Sequence, residues 1–278
     1  MNEGKIPKIT ANGALVHSSG SWILPFWRQK PRHIFITNQH TNRTTRRCDG
    51  PKRRTTASVL ISHDMGKTWK ASGKLAQRSA GWLIENTLVE LTDTSLYMLF
   101  RTKSGAVFSC KSTDGGQSWS TASVIEELVN TDSKIHVIRL QDGRLLLAYN
   151  DHPRPFVQDV LKNELVASRE RTRLLISVSD DEGETWRRLT RIDKPQDSRR
   201  AFDFENAGVQ NPFQLRQMDE GSPLSVQYHY PYLLELAQNQ DSSDGSCKAI
   251  VAYTKSKLNV VSQKTSGHEI WVSCIPGL

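Results

Sequence analysis

The chain has 278 residues, enough to bury a substantial core in one large domain or two ordinary ones. Charged residues make up 24 %, close to the globular norm, and no apolar run approaches the roughly 18 residues that cross a bilayer, so a helical membrane span is excluded and a soluble protein expected. The net charge of +8 would suit a polyanion, but most of it sits in one segment, residues 32–54, where Arg32, Arg43, Arg46, Arg47, Lys52, Arg53 and Arg54 face the single acid Asp49. Such a run reads as a solvated insertion loop, and no nucleic-acid partner is expected.

The opening, "MNEGKIPKITANG", carries no apolar core behind its first charges, so it does not read as a secretory signal. A cytoplasmic chain, or one lacking its N-terminus, is the default. Three apolar runs follow, "GALVHSS", "WILPFW" and "ASVLIS", with the basic insertion between the second and third. Asn42-Arg43-Thr44 inside the insertion is a glycosylation sequon. After "ASVLIS" comes a boxed turn, Ser62, Asp64, Gly66, Thr68, Trp69, and then "TWKASG". The pattern repeats as "NTLVEL", "LYMLF", "AVFSCKS", a box at Ser112, Asp114, Gly116, Ser118, Trp119, and "SWSTASVI". It repeats again as "HVIRL", "RLLLAYN", "LLISVSD", a box at Ser179, Asp181, Gly183, Thr185, Trp186, and "TWRRLTRI". In this copy Asp142-Gly143 between alternating apolar runs is a hairpin signal. Its excess, residues 151–172, is expected to hold a short helix, and residues 193–223 read as a long polar connection. A fourth unit, "YPYLLELAQ", "KAIVAYT", "LNVVSQ", "EIWVS", keeps four strands and lacks the box.

The box tryptophans are 50 and 67 residues apart, a spacing that suits four-stranded propeller blades and is too long for solenoid repeats. The residue types explain the box. Asp accepts hydrogen bonds from the amides of its own turn, Gly supplies positive φ, the hydroxyl pins the turn, and Trp packs between blades. Asp64, Asp114 and Asp181 are therefore structural. Cys48, Cys110, Cys247 and Cys274 lie far apart without CxxC or Cys/His pairing, so neither a metal site nor a cofactor is expected. They read as reduced structural cysteines, with Cys247 and Cys274 the pair that an oxidising compartment would join.

The boxes resemble the Asp-box of sialidases. Beyond them, "WLIENTLVEL", "AVFSCKSTDGGQSWS", "NTDSKIHVIRLQDGRLLLAYND", "RTRLLISVSDDEGETWRRL" and "YHYPYLLEL" carry a resemblance to the sialidase-like BNR-repeat family over residues 10–275. The resemblance implies one all-β propeller domain over residues 1–278, with blade-like units near 10–75, 82–127, 133–193 and 205–276. Those are four of the six blades usual in sialidases, so the array is expected to be incomplete. Family members bind a substrate carboxylate with three arginines, attack with a Tyr activated by Glu, and protonate the leaving group with Asp. Two departures stand out: the Arg-Ile-Pro motif is absent, and His136 stands where family chains carry Asp.

First strands of propeller blades line the central channel, which selects a short set of residues. Tyr230 with Glu85 is the candidate nucleophile pair and Asp151 the candidate acid. Arg28 and Arg101 suit a carboxylate, and Lys134, His136, Asn150, Tyr228 and His229 complete the substrate-binding set. The expected partner is an acidic oligosaccharide or glycoconjugate. Three functions compete: an exo-glycosidase hydrolysing a terminal acidic sugar, a lyase on uronate glycans using the His/Tyr cluster, and a non-catalytic glycan- or protein-binding propeller.

Overall fold

The computed structural model describes residues 8–28, 32–37, 44–49, 55–151, 156–159, 164–167, 171–192, 224–237, 247–259 and 265–278. Among them every regular element is a strand. The chain divides into two compact units, Met1–Ile125 and Glu126–Leu278.

In the first unit, β1 (Lys8–Ile9) and β2 (Leu15–Val16) both pair with β3 (Trp22–Arg28). A hairpin of β4 (Arg32–Thr37) and β5 (Thr44–Asp49) intervenes before β6 (Thr56–Ser62) and β7 (Lys70–Leu75) complete the sheet. The basic insertion expected as a loop is thus a paired hairpin in its backbone. The second sheet runs in consecutive order through β8 (Ile84–Glu90), β9 (Leu96–Arg101), β10 (Ala106–Ser112) and β11 (Ser123–Val129). Period-two alternation decides which side chains go inward. The β3–β6 register sets Ile23 beside Ile61 and Trp27 beside Ala57, on one face. Ile23, Ala57, Val59 and Ile61 pack against Leu88, Leu96, Met98, Phe100 and Phe108 of the second sheet. Each such large side chain contributes about 1.5–3 kcal/mol by leaving water.

The second unit repeats the arrangement. β12 (His136–Arg139) and β13 (Leu145–Asn150) are followed by a hairpin of β14 (Phe156–Asp159) and β15 (Glu164–Ala167), then by β16 (Leu174–Ser179) and β17 (Arg187–Arg191). The helix expected within residues 151–172 is this β14–β15 hairpin. Phe156, Val157 and Val166 are residues that favour an extended backbone, and that preference wins. Among the described residues the last sheet has three strands where four are expected: β18 (Leu224–Glu235), β19 (Ala249–Asn259) and β20 (Thr265–Cys274). Leu258 and Asn259 end β19, and "EIWVS" lies in β20, the third strand. The connection 193–223 lies outside the described residues. Leu146, Ala148, Ile176 and Val178 meet Leu233, Val251 and Tyr253 of the last sheet in a common core. Cys247 and Cys274, expected to be reduced, form a disulfide, which ties the start of β19 to the end of β20. Cys110 is a free, buried thiol, and burial pushes it up to about 12.

The three boxes are built alike. Asp64 accepts from the Thr68 N–H at 2.8 Å, the Thr68 hydroxyl at 2.6 Å and the Ser62 hydroxyl at 2.7 Å. Asp114 takes the same bonds from Ser118 and Ser112, and Asp181 from Thr185 and Ser179. The box glycine N–H reaches the first serine at 2.8, 2.9 and 2.8 Å. Gly116 has φ +88°, and a Cβ there would meet Val59 and Leu96 at 3.4 Å, so the second box sits tight against the first sheet. Trp119 packs on that core and on Gly73 of β7, as expected, whereas Trp69 is 38 % exposed.

Hydrogen bonds from Thr68, hydroxyl first and then N–H, hold Asp64 down at about 2, and those from Ser118 do the same for Asp114. A depressed carboxyl stabilises the fold above its unfolded value, and that stability is lost as pH falls toward the folded one. The urea midpoint is therefore expected to hold down to about pH 4 and to fall between about pH 4 and 2. Asp114→Asn should flatten that fall and cost about 1 kcal/mol at neutral pH. An unchanged acid transition would show that the boxes do not set it.

Candidate functional site

Two strand residues have a backbone that strands avoid. Among the described residues, the non-glycine positions with positive φ are Met65, Thr94 and Glu182, all in turns, and Glu85 (+46°) and Tyr230 (+51°), both inside strands. Glu85 lies where the β8–β9 register slips between Ile84 and Thr87, and Tyr230 where β18–β19 slips between His229 and Tyr232. A bulge re-aims a side chain, and a left-handed L-residue persists only where its surroundings hold it.

Around Glu85 those surroundings belong to the first unit. Arg101 Nη1 donates to Glu85 Oε2 at 2.8 Å, with the two side chains 11 and 10 % exposed. Asn12 Nδ2 donates to the carbonyls of Glu85 and Asn86 at 3.2 and 2.9 Å, which pins the bulge from a neighbouring segment. Asn86 Nδ2 reaches Ser58 O at 3.2 Å. Arg28 is buried in the same unit, where its guanidinium donates to the Ser58 hydroxyl and to Gly73 O at 3.3 Å.

Around Tyr230 the second unit builds a matching clamp. Lys134 Nζ donates to Pro231 O at 2.8 Å, Asn150 Nδ2 to Tyr228 O at 3.2 Å, and the Leu233 N–H to His136 Nδ1 at 2.9 Å. These three residues, read as substrate ligands, hold the β18 backbone on both sides of Tyr230. The His136 ring also stacks on Tyr232 at 4.0 Å. Burial, and then the Lys134 charge, lower its pKa to about 3, so the imidazole is neutral and bears its proton on Nε2. Tyr230 itself is 55 % exposed, whereas Tyr228 is buried against Tyr253.

His229 lies between Arg171 Nη1 at 2.8 Å and the Ser256 hydroxyl at 2.9 Å; burial and then the Arg171 charge lower it to about 4. Arg171 was not singled out in the sequence, yet it also donates to Asp132 O at 3.2 Å and its amide reaches Gln227 Oε1 at 2.7 Å. Nothing in "SRERTR" separates it from its neighbours. Asp151 is buried, with Oδ2 at 2.9 Å from Arg188 Nη2 and 3.7 Å from Arg173 Nη2. Thus Glu85 is brought to Arg101 within the first unit, while Tyr230, Lys134, His136, Asn150 and Tyr228 meet around one strand of the second. Among the described residues no group of three or more His, Cys, Asp or Glu is placed to hold a metal.

Solved structures with this architecture include sialidases. Trypanosoma rangeli sialidase aligns with 97 % of this chain and 32 % of its own, at a TM-score of 0.55 and 12 % identity. The intramolecular trans-sialidase of Ruminococcus gnavus aligns with 92 % of this chain and 41 % of its own (TM-score 0.50, 18 % identity). The leech intramolecular trans-sialidase aligns with 96 % and 31 % (TM-score 0.50, 17 % identity). The likeness shows the fold, and the chain spans between 31 and 41 % of the length of these enzymes. A search of curated protein sequences found no match. The sheets are blades of the sialidase-type β-propeller, residues 3–242 match the model of the BNR repeat-like domain, and the chain belongs to that family.

Proposed function

We propose that this chain acts as a sialidase-like exo-glycosidase on a terminal acidic sugar of a glycan. The observation that supports this most is the left-handed backbone of Glu85 and Tyr230 inside strands, each held by buried side chains from neighbouring segments. Strain of that kind costs stability and gathers where a side chain must be aimed. In this reading Tyr230 is the nucleophile that attacks the anomeric carbon as its hydroxyl proton leaves to a general base, and Glu85 is the candidate carboxylate for that role. Asp151, once released from Arg188, protonates the departing oxygen, and water then hydrolyses the glycosyl–tyrosine intermediate. Arg28 and Arg101 are the candidate guanidinium groups for the sugar carboxylate, for which their planar forks are suited. The lyase reading draws no such support, because the His136 Nδ1 lone pair is already taken by the Leu233 N–H.

The test is turnover of a fluorogenic sialoside beside a uronide panel. The chain should release the fluorophore from the sialoside without forming an unsaturated, ultraviolet-absorbing sugar. Tyr230→Phe should lower kcat at least about 100-fold. A folded chain that turns over neither substrate, or a Tyr230→Phe variant with full activity, overturns the reading.

A further inference from the structure

His136 differs from the other enclosed histidines in what its second ring nitrogen does. His17 engages Ser19 Oγ through Nδ1 at 2.8 Å and Thr94 O through Nε2 at 2.9 Å, and His229 engages Arg171 and Ser256. His136 is 5 % exposed and uses Nδ1 alone, as the acceptor for the Leu233 N–H. A backbone N–H can only donate, so Nδ1 carries the lone pair and Nε2 the proton. Among the described residues that Nε2–H has no hydrogen-bond partner. Native structures seldom leave a polar group idle on an enclosed side chain, and an exception calls for a bound water, a ligand or a role in chemistry. The ring is fixed as well as idle. Tyr232 stacks on it at 4.0 Å, and Lys134, itself bonded to Pro231 O, lies 5.5 Å from the Tyr232 ring. Burial, helped by the Lys134 charge, lowers the imidazole to about 3, so at neutral pH the donor carries no charge.

We propose that His136 Nε2–H is a specificity-determining donor, which takes an uncharged oxygen of the acidic sugar, a hydroxyl or an acyl carbonyl. This rests on the exo-glycosidase reading for its sugar and adds the group that reads the sugar beyond its carboxylate. A neutral N–H supplies direction without charge, which suits a neutral acceptor, whereas a carboxylate calls for a guanidinium. The placement is also apt. His136 opens β12, its Nδ1 is bonded three residues beyond Tyr230, and its ring stacks on Tyr232, so the donor is built into the stretch of β18 that bears the candidate nucleophile. A ring already held by its other nitrogen and by stacking has little freedom left to lose when a ligand binds. An analogue without the matching oxygen leaves the donor unpaired, and that is how such a site discriminates.

Nitrogen NMR of the full chain with labelled histidine tests this on the wild type, the His136 signal being the one missing from His136→Asn. The wild type should show the Nε2–H tautomer at neutral pH, and the signal should shift when N-acetylneuraminic acid is added. An analogue with hydrogen in place of the acetamido group shifts it too if a hydroxyl is the acceptor, and leaves it unmoved if the acyl carbonyl is. Two variants then separate the donor from the clamp. His136→Asn keeps an acceptor for the Leu233 N–H and removes the Nε2 donor, whereas His136→Gln reaches the Nε2 position with an amide N–H and gives up the bond to Leu233. The Asn variant should raise the Kd for N-acetylneuraminic acid about 10-fold, and the Gln variant less than about 3-fold. A merely structural role reverses that order. An Nδ1–H tautomer, a wild-type signal that neither sugar moves, or weaker binding by Gln than by Asn each overturns the proposal. A signal that moves in a chain that hydrolyses no sialoside supports the donor and removes only the exo-glycosidase reading.

Discussion

Replacing Arg101 by Met should destabilise the chain by about 3–5 kcal/mol, because it leaves the buried Glu85 carboxylate without its guanidinium. Both side chains are about nine-tenths buried and 2.8 Å apart, so water cannot take over the role of Arg101. The loss of a hydrogen bond alone would cost about 1 kcal/mol, and the difference between the two figures measures the desolvated charge. The double variant Arg101→Met, Glu85→Gln removes that charge and should recover most of the loss. Urea titrations of the wild type, the single variant and the double variant decide the matter. A single-variant cost near 1 kcal/mol, or no recovery in the double, would mean that the pair does not act as a buried ion pair. Activity cannot serve as the readout here, because both residues belong to the proposed catalytic set.

The parts of this molecule that were legible in its sequence are those set by local, repeated chemistry. Each box is a self-contained network of five positions, so its three copies mark the turns into β7, β11 and β17 in the sequence itself. The apolar runs placed β3, β6, β9, β10, β13 and β16, whose burial is nearly continuous along each strand. The insertions misled because a hairpin with charged or mixed faces, such as Thr44–Asp49, carries no alternation to read. The last blade misled differently. "LNVVSQ" has strand composition, but Leu258 and Asn259 continue β19, and composition does not say where one strand stops.

The site shows the same division. Glu85 and Tyr230 were reached through polar residues on first strands and a family resemblance, but no sequence feature announces a positive φ at Glu or Tyr. Lys134, His136 and Asn150 were recognised as important and assigned to a ligand, whereas their partners are Pro231 O, the Leu233 N–H and Tyr228 O, up to 97 residues away. A long-range bond to a main-chain atom leaves no trace in the partner's residue type. These side chains read as ligands from the sequence, and the structure shows in addition that they hold the β18 backbone on both sides of Tyr230.

Tyr230→Gly should leave the chain as stable as the wild type, or up to about 1 kcal/mol more stable, while activity falls at least about 100-fold. Three terms decide the sign. A left-handed L-residue costs about 1–2 kcal/mol, which glycine relieves. Glycine gives back about 0.5–1 kcal/mol through its greater freedom in the unfolded chain. The side chain lost is 55 % exposed, so little buried contact goes with it. Tyr232→Gly is the control: that ring is similarly exposed at 44 %, but it stacks on His136 and its φ is not among the positive ones, so glycine there should cost about 2 kcal/mol or more. Denaturant midpoints for the two variants make the comparison. If Tyr230→Gly is as destabilising as Tyr232→Gly, the backbone at Tyr230 stores no strain. If it is stable and inactive, the strand bears a strained residue that folding does not need, held by Lys134 and Asn150 at the one position where the proposed chemistry needs a hydroxyl.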